Sequence, residues 1–81
     1  MARYRFHCTN GSECVFDAQG QEVRQPAHLA GRARQVACTV IALGPGADWS
    51  GWQVSVHGLD GRQVLVEPFP IGSEPAQALA A

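Results

Sequence analysis

Six side chains in this sequence have the chemistry to hold a metal ion: His7, Cys8, Cys14, His28, Cys38 and His57. Their spacing argues against it. The Cys8-x5-Cys14 pair has no zinc-knuckle spacing, and neither Cys-x-x-Cys nor His-x-x-x-His occurs. His7 and Cys8 are neighbours in a stretch that alternates polar and apolar, so they point to opposite faces of a strand and cannot share an ion without distorting it. We expect no metal site and no cofactor.

Thiol chemistry needs a cysteine with a base in reach and electropositive surroundings. Cys38 is the one cysteine expected to face outward, and Arg34 precedes it by one helical turn. An exposed cysteine in mid-helix is ordinarily incidental. No paired carboxylates, phosphate-binding glycine loop or Ser/His/Asp set competes with it, and we assign no catalytic residue.

Arg3, Arg5 and His7 share one strand face and would be the contacts of a nucleic-acid-associated protein. Tyr4 and Phe6 alternate with them and point into the core, which is the wrong parity for base stacking. Asp17 and Glu13 neutralise the same face. A solvated strand face with cross-strand ion pairs is the plainer reading.

The elements that must position these groups follow from periodicity. Residues 3–8 alternate polar and apolar, Asn10-Gly11 is a strong turn signal, and 13–17 read as the returning strand. A three-residue loop, Thr9-Asn10-Gly11, pairs Phe6 with Cys14 and Tyr4 with Phe16 on one face. On the other face it pairs Arg3 with Asp17 and His7 with Glu13. Asp17-Ala18-Gln19-Gly20 is a second turn, and residues 21–25 are an extended lead-in to a helix over 26–43.

Pro26 suits the first helical turn. At 100° per residue, Leu29, Ala33, Val36, Ala37 and Val40 form one apolar stripe, flanked by Ala30, Ile41 and Leu43. Gly44-Pro45-Gly46 should stop the helix through a left-handed cap and a proline. Residues 52–57 alternate as a strand, Leu59-Asp60-Gly61 turns the chain, and 63–67 return before Pro68 and Pro70. This second loop pairs Val56 with Val64 and Val54 with Val66, leaving Ser55–Leu65 and Gln53–Glu67 outward.

The expected fold is α+β, a two-layer ββαββ arrangement in which two β-hairpins form an antiparallel four-stranded sheet with one helix packed on one face. Tyr4, Phe6, Phe16, Trp52, Val54, Val56, Val64 and Val66 should meet the helix stripe. Residues 1–71 make a single domain, and 72–81 a flexible C-terminal tail.

The helix's other side is unusual. Ala27, Gly31, Gln35, Cys38 and Ala42, with His28 and Thr39, leave it almost uncharged, whereas an exposed helix face is normally rich in Glu, Lys or Arg. Small residues let another backbone approach closely. We expect this to be an interaction face, most simply for a second copy packed as a homodimer. The plain alternative is that alanine is simply a good helix former.

With 81 residues and 46% hydrophobic content, the chain is long enough for one small core and too apolar to be disordered. A net charge of −1 argues against coating nucleic acid or an anionic membrane. All six basic residues are arginines. Arg3, Arg5 and His7 interrupt any signal-peptide core, and no apolar run approaches the ~20 residues needed to cross a bilayer. A cytoplasmic protein with three reduced thiols is expected.

Taken in order, Met1, Arg3, Tyr4, Phe6 and His7, then Asp17 and Gly20, then Gly51 and Trp52, then Asp60-Gly61-Arg62, Val64, Leu65, Pro68 and Phe69 form a pattern. It resembles that of a domain-of-unknown-function family of short bacterial proteins, mostly alphaproteobacterial, over roughly residues 1–70. The resemblance implies no catalytic residue, cofactor or activity. In the family the helix is usually more charged and carries Asp or Ser near its start, so this chain departs from its relatives on the helix's outer surface.

The reading that follows is a small non-enzymatic protein-interaction or regulatory module contacting protein through the helix's outer face or a free sheet edge. The alternative is a nucleic-acid-associated accessory protein using Arg3, Arg5 and His7. A thiol enzyme or redox sensor centred on Cys38 ranks last.

Overall fold

The computed structural model describes residues 2–70. The chain is α+β, with one α-helix laid across an antiparallel sheet of five strands among the described residues. The strands are β1 (Ala2–Thr9), β2 (Cys14–Val15), β3 (Gln21–Val23), β4 (Gln53–Gly58) and β5 (Gln63–Pro68). A 3-10 turn, Pro26–His28, leads into the helix α1 (Leu29–Leu43). The four-stranded ββαββ layout is corrected in one respect. The lead-in to the helix contains β3, which pairs with β1.

Strand order is β2-β1-β4-β5, with β3 on the edge of β1 that β2 also uses. The longest strand, β1, is therefore central, paired along one edge with β4 from Tyr4 to Thr9. Its other edge is shared by two short strands. Cys8 and Thr9 pair with β2, and Ala2 to Tyr4 pair with β3.

The first hairpin closes differently from the expected three-residue loop. Asn10 and Glu13 close the turn around Gly11 and Ser12, and the Asn10 side-chain oxygen accepts the Ser12 and Glu13 N–H groups at 2.9 and 2.7 Å. Asn10 thus begins the turn as an amide acceptor instead of occupying its centre. Cys14 lies opposite Thr9 and not Phe6, a shift of three places that swaps the strand's faces. Cys14 and Phe16, both expected in the core, are exposed, and the proposed Arg3–Asp17 and His7–Glu13 pairings do not form. Arg3 faces Glu22 on β3.

In the second hairpin the three-residue turn is as expected, and its register holds as far as His57 opposite Gln63. A bulge then moves the pairing by one, setting Leu65 opposite Val56 and Glu67 opposite Val54. Leu65 packs against the core in place of Val64 and Val66, which are exposed. Glu67 reaches Arg34 on α1 at 3.1 Å.

The core lies between helix and sheet. Leu29, Ala33 and Ala37 from α1 meet Phe6, Cys8, Val54 and Val56, with Val23, Trp52 and Phe69 closing its ends. Val36, Val40 and Ile41 pack partly against it, while Leu43 is largely exposed. At the C-terminal end of α1, Trp49 meets Trp52 edge-on at 5.0 Å and Phe69 at 5.9 Å. The Trp49 indole N–H donates to the Gly44 carbonyl at 3.1 Å. Gly44 is not a left-handed cap, since its φ is −128°. A side chain there would instead stand 2.9 Å from the Trp49 ring, so the close indole demands the glycine. The expected tail, residues 72–81, lies outside the described residues.

Candidate interaction face

The sheet has two faces, and among the described residues α1 covers one of them and no layer covers the other. On the uncovered face, β1 presents Arg3, Arg5 and His7, as strand parity requires, and β4 presents Ser55 and His57 opposite His7 and Arg5. Val66 lies opposite Ser55 on β5, and Phe16 follows β2. The register shift therefore brings an aromatic ring to the face where sequence parity had placed none. Phe16 stacks on His7 with ring centroids 4.4 Å apart and planes 16° from parallel, yet stays 64% exposed. His57 lies on the other side of His7 at 5.3 Å.

Behind this platform is a hydrogen-bonded joint centred on Asp17. Between the ends of β2 and β3 the edge of β1 has no strand partner among the described residues, and there the Asp17 carboxylate accepts the Phe6 N–H at 3.0 Å. Its other oxygen accepts the Gln19 and Gly20 N–H groups at 3.2 and 2.9 Å, forming the turn. The Asp17 N–H donates to His7 Nδ1 at 3.0 Å. Partial burial would raise the Asp17 carboxyl, but the bonds from Phe6, Gly20 and Gln19, with His7 nearby, outweigh it and hold the group below its ordinary value. Burial pushes the His7 ring down, helped by His57 and Arg5 against the opposing pull of Asp17. The Asp-x-x-Gly spacing is legible in the sequence, but its task, replacing a strand in the ladder, is not.

Arg5 lies over the same joint. Its Nε is buried and has no hydrogen-bond partner among the described residues, while the Arg3 Nε donates to the Gln19 carbonyl at 3.0 Å. On β4, Ser55 Oγ is 2.8 Å from His57 Nε2 and donates to Gln63 Oε1 at 2.9 Å, and His57 Nδ1 faces the Gly61 carbonyl. Ser55 is buried and its hydroxyl is committed to this cross-strand network, which ties the turn to the sheet.

The sequence-marked helix residues also come together. Ala27, Gly31, Gln35, Cys38 and Ala42 are all exposed, and nothing stands within 4 Å of the space a Gly31 side chain would fill. Arg34, expected to act on Cys38, is turned to Glu67. Near the start of α1 a shallow depression of about 390 Å³ is lined by Glu22, Arg24, Gln25, His28 and Arg32, among others. Among the described residues no group of three or more His, Cys, Asp or Glu is placed to hold a metal ion. Cys8 is buried and its thiol is pushed up to about 11, by burial first and then by Cys14 and Asp17. Among the described residues no helix is long and apolar enough to cross a membrane.

Comparison with known families matches residues 3–70 to the domain of unknown function DUF6894. No curated protein and no solved structure matches the chain. The chain belongs to the DUF6894 family.

Proposed function

We propose that this member of the family is a small non-enzymatic protein-interaction module whose open sheet face is its docking surface, most simply for a second copy of itself. The observation that carries the reading is Phe16, an aromatic side chain 64% exposed and stacked on His7, on a sheet face that no other layer covers among the described residues. Val66, more than a third exposed, extends the apolar surface toward β5. Exposed aromatics within a polar surround mark interaction surfaces more often than isolated aliphatic residues do. The helix's outer face competes for the role, but its exposed small residues offer no anchoring side chain of comparable size. The test is the mass of the protein in solution, measured for wild type, Phe16→Asp and Gly31→Glu. A sheet-face interface is lost with Phe16→Asp and survives Gly31→Glu.

A second reading is favoured by one specific arrangement. The His7–Phe16 stack lies on the strand face that also bears Arg3 and Arg5, so an aromatic platform and guanidinium groups occur together. That combination suits a single-stranded nucleic acid, through base stacking and phosphate contact. Fluorescence anisotropy with labelled single-stranded oligonucleotides tests it. Binding that weakens steeply with salt and is lost in Arg5→Gln supports this reading, and salt-insensitive or absent binding rejects it.

A further inference from the structure

The edge of β1 is closed by a joint that depends on one unprotonated ring nitrogen. His7 Nδ1 accepts the Asp17 N–H at 3.0 Å, and it can do so only without a proton of its own. Asp17 in turn holds the Phe6, Gln19 and Gly20 N–H groups. To either side, the segment is fastened to β1 by short ladders, through two paired residues of β2 and three of β3.

The groups facing His7 are Arg5 on its own strand, Ser55 and His57 on β4, and Phe16 and Asp17 from the segment after β2. Of the charged or titratable ones, Arg5 and His57 oppose a positive ring at this position and only Asp17 favours it. Asp17 is already engaged by three backbone donors.

We propose that His7 is an acid-sensitive latch: proton uptake at Nδ1 breaks its bond to the Asp17 N–H and frees the 16–20 turn from the edge of β1. Release takes Phe16 off the His7 ring and leaves the Phe6 N–H without its carboxylate partner. The open sheet face around His7 is remodelled while the helix-side core stays closed. The latch stands whether or not that face binds protein. Burial first, with His57 and Arg5 beside the ring, places the transition on the acid side of ordinary histidine.

The test is NMR on uniformly 15N-labelled protein. Long-range 1H–15N spectra at neutral pH should show His7 as the Nε2–H tautomer. As pH falls from neutral to the acid side of 6.5, amide-exchange protection, corrected for intrinsic rate, should fall at Phe6, Asp17 and Gly20 and persist at Val54 and Val56. His7→Asn presents a side-chain oxygen near the place of Nδ1 and does not titrate, so it should keep the protection across the range. A Nδ1–H tautomer at neutral pH, unchanged wild-type protection, or an equal loss in His7→Asn would overturn the latch. If the variant fails to fold, the tautomer and wild-type protection decide the matter.

Discussion

The Asp17 carboxylate accepts the Phe6 amide N–H at 3.0 Å, and this bond makes a side chain do the work of a neighbouring strand. β1 is the centre of the sheet, but its outer edge is covered only in part by β2 and β3. A backbone donor left unpaired in the gap between them would cost about 1–3 kcal/mol. Asp17→Ala removes the acceptor for this donor and for Gln19 and Gly20. We expect a loss of about 2–4 kcal/mol in urea unfolding, with a smaller loss for Asp17→Asn, which retains one acceptor oxygen.

Gly20 tests the same joint from the backbone. It has φ of +79°, and a Cβ there would stand 2.8 Å from the Tyr4 carbonyl oxygen. Gly61 has a similar φ of +87° but open space around it. Gly61→Ala should therefore cost only the conformational strain, about 1–2 kcal/mol, and Gly20→Ala distinctly more. Equal losses in denaturant unfolding would mean that the close approach to Tyr4 is relaxed without difficulty.

The two titrating members of the joint begin to lose their contributions at different pH, His7 below 6.5 and Asp17 below 3.8. The folded-state His7 ring lies below its ordinary value of 6.5, so its contribution is complete above that pH. It is lost as pH falls from 6.5 toward the depressed folded value, where the unfolded chain binds the proton more readily. Asp17 is also depressed, from 3.8, so its contribution is complete above that value and lost as pH falls through the lower folded one. Thermal unfolding followed by circular dichroism should show Tm falling in two stages. His7→Asn should remove the upper one and Asp17→Asn should reduce the lower.

Thiol labelling checks the first hairpin's register. Cys14 and Cys38 are exposed, and Cys8 is buried with its thiol raised to about 11. A disulfide reagent at neutral pH should modify two thiols promptly and the third only on unfolding. One prompt thiol would restore Cys14 to the core, as the three-residue loop requires.

The helix and the longer strands are legible in the sequence, whereas β3, the register of the first hairpin and that of the second beyond His57–Gln63 are not. Apolar periodicity located α1 and its buried stripe, and alternation located β1 and β4. What periodicity does not carry is a one-residue bulge, as in β5, or the difference between asparagine starting a turn and asparagine within it. Each such difference shifts the pairing and swaps a strand's faces, and together they moved Phe16, Val64 and Val66 from core to surface. β3 was missed because three residues are too few to show a period. The candidate face was half visible. Arg3, Arg5 and His7 could be read from parity, whereas Phe16 reached them only through the register, and the role of Asp17 depends on a gap in the ladder that no local pattern announces.

The interaction reading rests on Phe16, and size-exclusion chromatography with light scattering tests it most directly. Wild-type protein at tens of micromolar should show a mass above that of the monomer, falling on dilution. Phe16→Asp should be monomeric and, because this side chain is mostly exposed, should lose no more than about 1 kcal/mol of stability. Gly31→Glu should associate like wild type. A wild-type protein that stays monomeric, or an association abolished by Gly31→Glu and untouched by Phe16→Asp, would contradict self-association through the open sheet face.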